Sequence, residues 1–213
     1  MLPDQFVAWI RERVQMAVAR TLARTPITAS ALTVIGTILM SVAAWMLMHG
    51  HFLWAGITIA GASSFDVLDG ALARVKGTQS AFGAFLDSTL DRYSEVFIYG
   101  GMLAYFSHLS DSMPQNMLIY AIITGSILTS YIRARAESTG YSCTVGLVER
   151  PERLIILIVG LCTGQITVVL AVLALLTHIT AVQRFIHVWK QVRRIDHEKR
   201  TRNAPTVIIK SSE

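Results

Sequence analysis

Residues 27–48 read ITASALTVIGTILMSVAAWMLM, without a single charged side chain. At about 1.5 Å per residue, such a run as a helix spans a hydrocarbon core of about 30 Å. Residues 112–132 and 154–183 are also uncharged. Of the 213 residues, 53% are hydrophobic and only 15% charged, with a mean hydropathy of +0.49. A soluble domain carries about 25% charged residues. An ordinary soluble enzyme, a disordered chain and a secreted disulfide scaffold are therefore excluded. The pattern is that of an all-α, polytopic integral membrane protein.

Six transmembrane helices are expected, at roughly 29–49, 52–74, 81–108, 114–136, 147–163 and 166–189. The uncharged stretch 154–183 is too long for one crossing, at about 45 Å of helix, and Thr163-Gly164-Gln165 supplies a break. Six crossings also put Arg11, Arg13, Arg20, Arg24, Arg74, Lys76, Arg133, Arg135, Arg150, Arg153 and the basic tail from Lys190 on one side. The opposite loops, around His49–His51, Ser107–Gln115 and Thr163–Gln165, contain no Lys or Arg. Five crossings would strand the basic tail on the wrong face. The expectation is a multi-pass protein of the cell (plasma) membrane with both termini cytoplasmic. Its membrane domain covers residues 1–190, and a basic, loosely ordered cytoplasmic tail follows over 191–213.

The net charge of +5 does not point to nucleic acid, because the basic residues lie between apolar spans, where anionic lipid headgroups are the natural partner. Residues 4–24 mix Arg with apolar side chains and lack the h-region of a cleavable signal. They read as an amphipathic helix on the membrane surface. Cys143 and Cys162 fall at opposite faces, too far apart for a disulfide. The His49-Gly50-His51 turn reads as interfacial.

Asp66, Asp69, Asp87, Asp91 and Glu95 lie inside the second and third spans. An ionised carboxylate there costs at least about 2.5–3.5 kcal/mol, so a group of them demands compensation. Asp66 and Asp69 are three apart, and Asp87 and Asp91 four apart, so each pair shares a helix face. Arg74 and Arg92 are the obvious neutralising candidates, too few for convergent acids. One or two divalent cations resolve the imbalance. All-oxygen ligation suits Mg²⁺ or Mn²⁺. Buried ion pairs alone do not balance this count. A cation transporter is the rival from another class, but no internal repeat is visible and the acids lie toward the cytoplasmic side rather than the midplane.

The segment DVLDGALARVKGTQSAFGAFLDSTLD, residues 66–91, resembles the signature of the CDP-alcohol phosphotransferase family, D-x2-D-G-x2-A-R-x8-G-x3-D-x3-D. Asp66, Asp69, Gly70, Ala73, Arg74, Gly83, Asp87 and Asp91 match its eight fixed positions. The resemblance implies transfer from a CDP-linked alcohol, usually CDP-diacylglycerol, to a hydroxyl with release of CMP. It implies that Asp66, Asp69 and Asp87 hold two divalent cations, and that Asp91 is the base and approaches the second cation. Gly70 and Gly83 then admit the nucleotide, Ala73 belongs to the same strip, and Arg74 and Ser80 contact CDP. The family's Asn-Pro-Asn type turn before the first span is replaced by Thr28-Ala29-Ser30-Ala31, expected to line the nucleotide. Family members are commonly homodimers.

The segment SYIRARAESTGYSCTVGLVERPERLI, residues 130–155, resembles the branch of the family that uses inositol phosphate as acceptor. By that resemblance Arg133 and Arg153 hold the acceptor's phosphate, with Arg184 as a third. A dianionic acceptor entering a carboxylate-rich site needs such guanidinium forks. The expected product is phosphatidylinositol phosphate; glycerol-3-phosphate as acceptor, or an archaetidyl donor, are the alternatives.

Overall fold

In a computed structural model, residues 13 and 15–202 are described, with side chains as far as residue 195. A helical stretch over 15–22 leads into six helices: α1 (Ala29–Met48), α2 (Phe52–Lys76), α3 (Ala81–Ser107), α4 (Met113–Ser138), α5 (Arg150–Thr163) and α6 (Ile166–Arg202). Among the described residues there is no strand. Of the surface helix expected over 4–24, residues 15–22 are helical, while 4–12 and 14 lie outside the described residues.

Local chemistry sets the ends. Thr28 caps α1 by accepting from the Ala31 N–H, and Ser80 caps α3 by accepting from the Gly83 N–H. Pro114 and Pro151 stand in the first turns of α4 and α5, where a missing N–H costs nothing. Gly164, with φ of 74°, ends α5 in the left-handed conformation and separates it from α6. This is the break expected at Thr163–Gln165.

The helices pack as a ring: α1 on α2, α2 on α5, α5 on α6, α6 on α4, α4 on α3, and α3 back on α1. Met40, Ile59, Tyr99, Met102, Ile122, Leu157 and Leu173 are fully buried in its core. The outside is apolar too, with Ile38, Trp54, Phe85, Tyr120, Leu175 and Phe185 all more than half exposed. A soluble surface does not look like this; a lipid-facing one does. By length and composition, α1, α4 and the Ile166–Ile195 part of α6 are able to cross a membrane. Helices α2 and α3 carry the acids, and α5 has only 14 residues.

Two expectations need correction. The fifth span, expected from 147, becomes helical only at Arg150, because Glu149 and Glu152 form a capping box there. Of the tail expected to be loose after 191, residues up to Arg202 continue α6, and 203–213 lie outside the described residues. Residues 191–202 are mostly good helix formers and contain no Gly or Pro, and Arg193 stacks 4.2 Å over the Trp189 ring.

The contact between α1 and α3 depends on Gly101, where an added Cβ would lie 2.2 Å from the Ala44 carbonyl oxygen. Gly101→Ala should therefore lower stability by about 1–3 kcal/mol. Gly61→Ala, with nothing within 4 Å, should be neutral. Unfolding of the two variants in detergent checks this.

Candidate active site

Helices α2 and α3 follow one another in the chain but are not a packed pair; each leans on α1. That leaves a gap with Asp66 and Asp69 on one wall and Asp87 and Asp91 on the other. The floor is α1. Thr33 there donates to Asp69 Oδ2 at 2.7 Å and is itself buried. The Ala29 carbonyl, 3.2 Å from the same hydroxyl, is the alternative acceptor for its one proton. Across the gap Asp87 lies within electrostatic reach of Asp66 and Asp69, and Asp91 within reach of Asp66.

Two cavities open from this gap. The first, of about 270 Å³, is lined by Ala29, Ser30, Thr33, Asp69, Gly70, Ala73, Arg74, Ser80, Gly83 and Asp87. Most residues expected to meet the nucleotide thus come together. Gly70 has nothing within 4 Å of where a Cβ would stand, so the backbone is open to a ligand. The first turns of α1 and α3 both face this space. Their free N–H groups and positive dipole ends suit a diphosphate. Thr28 and Ala31 do not line it; Thr28 acts instead as the helix cap. Ser80 does both, lining the cavity while its hydroxyl accepts from Gly83 N–H. The α1 entrance is tied down by Lys76, whose Nζ donates to the Thr25 and Ile27 carbonyls at 2.9 and 2.7 Å.

The second cavity, of about 570 Å³, shares Asp87 and Ala84 with the first. Asp91, Arg92, Arg133, Arg150, Arg153, Arg184, Glu137 and Glu149 add to its walls. All three arginines expected to hold an acceptor phosphate are present, but not as three free forks. Arg153 is 3% exposed and donates through Nε and Nη2 to Glu95 Oε1, at 3.1 and 2.7 Å. Arg184 donates to the Val145 and Thr129 carbonyls at 2.8 and 2.9 Å. Arg133 is the most exposed of the three, half-buried and paired with Glu137 at 2.9 Å. Burial explains the difference: a guanidinium held inside an apolar bundle needs acceptors of its own. Beneath this wall lies Cys143, a free thiol held above its ordinary pKa by burial, against the opposing pull of Arg184 and Arg133. Cys162 is also free.

Arg74 and Arg92, the cations expected to neutralise the acids, are not their close partners. Arg92 is 3.7 Å from Asp91 and donates mainly to Ser130 and the Ser88 carbonyl. The close partner is Arg150, whose Nη1 lies 2.8 Å from Asp66 Oδ2 and 2.6 Å from Asp91 Oδ1. Likewise Arg153 is the partner of Glu95. Both come from the segment after the fourth span, more than 50 residues downstream, so helical spacing gave no sign of the pairing. Among the described residues no three His, Cys, Asp or Glu side chains already close around one point. The donor set nevertheless fits a divalent cation. It is all carboxylate and mutually repelling, and a protein cation stands between Asp66 and Asp91.

A family model for CDP-alcohol phosphatidyltransferase matches residues 26–195. The archaetidylinositol phosphate synthase of Methanothermobacter thermautotrophicus is 36% identical over 177 residues, covering 80% of this chain and 87% of the relative. The phosphatidylinositol phosphate synthase of Corynebacterium glutamicum is 34% identical, covering 79% and 81%. A crystal structure of Mycobacterium tuberculosis phosphatidylinositol phosphate synthase with CDP-DAG bound superposes with a TM-score of 0.77 at 33% identity, over 83% of this chain and 94% of that one. The same tuberculosis enzyme has been crystallised in complex with manganese and citrate, again at a TM-score of 0.77.

Removing one partner of the buried Glu95–Arg153 pair strands the other. Glu95→Ala should cost about 3–5 kcal/mol of stability. Combining it with Arg153→Ala should recover part of that loss. A double-mutant cycle of unfolding in detergent measures it.

Proposed function

The chain belongs to the CDP-alcohol phosphatidyltransferase family, and from that premise we propose that it transfers the phosphatidyl group of CDP-diacylglycerol to inositol phosphate, giving phosphatidylinositol phosphate and CMP. The observation that carries this reading is the pair of joined cavities meeting at Asp87. One has helix N-termini and small residues suited to a nucleotide diphosphate. The other has arginines suited to a phosphate-bearing alcohol. The lipid tails leave sideways past the apolar helix faces, in a bundle of six transmembrane helices with its charged mouth at the cytoplasmic side. A homodimer in the cell membrane is part of the same reading.

Asp66, Asp69, Asp87 and Asp91 would hold two Mg²⁺ or Mn²⁺ ions. When bound, such ions supply positive charge to the diphosphate and stabilise entering and leaving oxygens. The chain's own residues do the rest. Thr33 keeps the Asp69 carboxylate turned into the gap. Arg74 and the α1 and α3 N-termini orient the CDP. Asp91, on the acceptor side of Asp87, takes the proton from the acceptor hydroxyl. That oxygen forms the new bond to the phosphatidyl phosphorus, the bond to the bridging oxygen breaks, and CMP leaves with it. Arg133, Arg153 and Arg184 fix the acceptor phosphate, two of them pre-set by Glu95 and by backbone carbonyls.

Inositol phosphate is favoured over glycerol-3-phosphate by the 130–155 segment and by the inositol phosphate products in the relatives' names. The same names leave the donor's tails, acyl or archaetidyl, as the open branch. The test is CMP release by purified protein given CDP-diacylglycerol, metal and each acceptor in competition. Inositol phosphate product should dominate, and chelation of divalent ions or Asp91→Asn should abolish release. A dominant glycerol product would overturn the acceptor assignment. Metal-independent release would overturn the mechanism.

Arg133→Ala removes the most exposed of the three arms, with little structural burden. It should raise the acceptor KM about 10- to 150-fold, the scale of a charge-assisted hydrogen bond. The KM for CDP-diacylglycerol should stay near the parent value. Initial rates with each substrate varied in turn separate the two.

A further inference from the structure

Arg150 is the first residue of α5, yet its guanidinium is spent on two other helices. One nitrogen, Nη1, serves both Asp66 on α2 and Asp91 on α3. The Nε is buried without a hydrogen-bond partner. For a group that normally makes paired, planar bonds, this is an incomplete set. The backbone beneath is held by Pro151 and by the Glu149–Glu152 capping box, whose Glu152 carboxylate accepts from Glu149 N–H at 2.9 Å. The side chain is therefore the part able to move. It already lines the acceptor cavity beside Arg133, Arg153 and Arg184.

We propose that Arg150 is a displaceable counter-ion: it bridges Asp66 and Asp91 while they hold no cation, and turns to the acceptor's phosphate once a divalent cation takes them. The inference rests on the reading of those carboxylates as cation ligands. Two cations held on one carboxylate pair repel each other at short range, so the guanidinium and the ion compete for Asp66 and Asp91. Turning outward gives the fork a bidentate partner that its present position lacks. The two events then favour one another. Cation binding frees a residue for the acceptor, and a bound phosphate holds Arg150 away from the cation's place. By linkage, the cation and the phosphate strengthen each other's binding by the same factor.

The test is Mn²⁺ binding followed by electron paramagnetic resonance on the full chain in detergent, without substrates. Arg150→Gln should bind Mn²⁺ about 10-fold more tightly than the parent, having no charge-assisted bond to displace. Arg150→Lys, which keeps the charge, should stay near the parent. On the unaltered protein, phenylglyoxal labelling of Arg150, read by peptide mass spectrometry, should rise when Mn²⁺ is added. Inorganic phosphate added with the Mn²⁺ should suppress it again. Unchanged or weaker Mn²⁺ binding by Arg150→Gln overturns the proposal, and so does labelling that ignores Mn²⁺. If the parent binds no Mn²⁺ at all, the cation reading of Asp66 and Asp91 falls with it. That outcome is distinct from Mn²⁺ binding that Arg150 does not affect.

Discussion

Carboxylates placed inside an apolar helix bundle must be answered by positive charge, and that requirement organises this protein. Asp66, Asp69, Asp87 and Asp91 face one gap, and Glu95 lies one turn deeper on α3. Each ionised acid would cost several kcal/mol if left alone. Glu95 is answered permanently, by Arg153, with both side chains nearly inaccessible to solvent. The four motif acids have a looser arrangement, with Arg150 between two of them and Arg92 3.7 Å from Asp91. A fixed pair holds its arginine in one place, whereas an under-neutralised cluster has capacity for a ligand.

The fold follows from keeping that capacity open. If α2 and α3 packed face to face, the acids would be pressed together without room for anything between them. They lean instead on α1, which approaches α3 closely at Gly101 and supplies Thr33 as a fixed donor to Asp69. The ring of helices then brings α5 behind α2, and with it the arginines at its start. Lys76 pins the entrance of α1 beside the end of α2, so the N-termini of α1 and α3 open onto one cavity. The two cavities thus meet at Asp87, which belongs to both.

Much of this was legible from residue order alone. Uncharged runs and Gly164 located the helices, because helix length and hydrocarbon thickness are simple constraints. The spacing of the four motif acids placed them on shared faces, and their neighbours Gly70, Ala73, Arg74 and Gly83 line the same cavity. The pairings of Arg150 with Asp66 and of Arg153 with Glu95 were not legible. They join segments far apart in the chain, and helical periodicity speaks only of neighbours three or four residues away. The extension of α6 to Arg202 was missed for a different reason. Charge there suggested a solvated tail, while the helix propensity of the same residues carried the helix onward.

The central claim is that the gap between α2 and α3 is a divalent-cation centre. Anomalous diffraction from crystals grown with Mn²⁺ tests it most directly, because the scattering locates the ion without reference to activity. The expected result is anomalous density within ligand distance of Asp66, Asp69, Asp87 and Asp91, with the Arg150 guanidinium moved off Asp66 and Asp91. Density confined to other sites, with Arg150 still bridging the two carboxylates at saturating Mn²⁺, would contradict it.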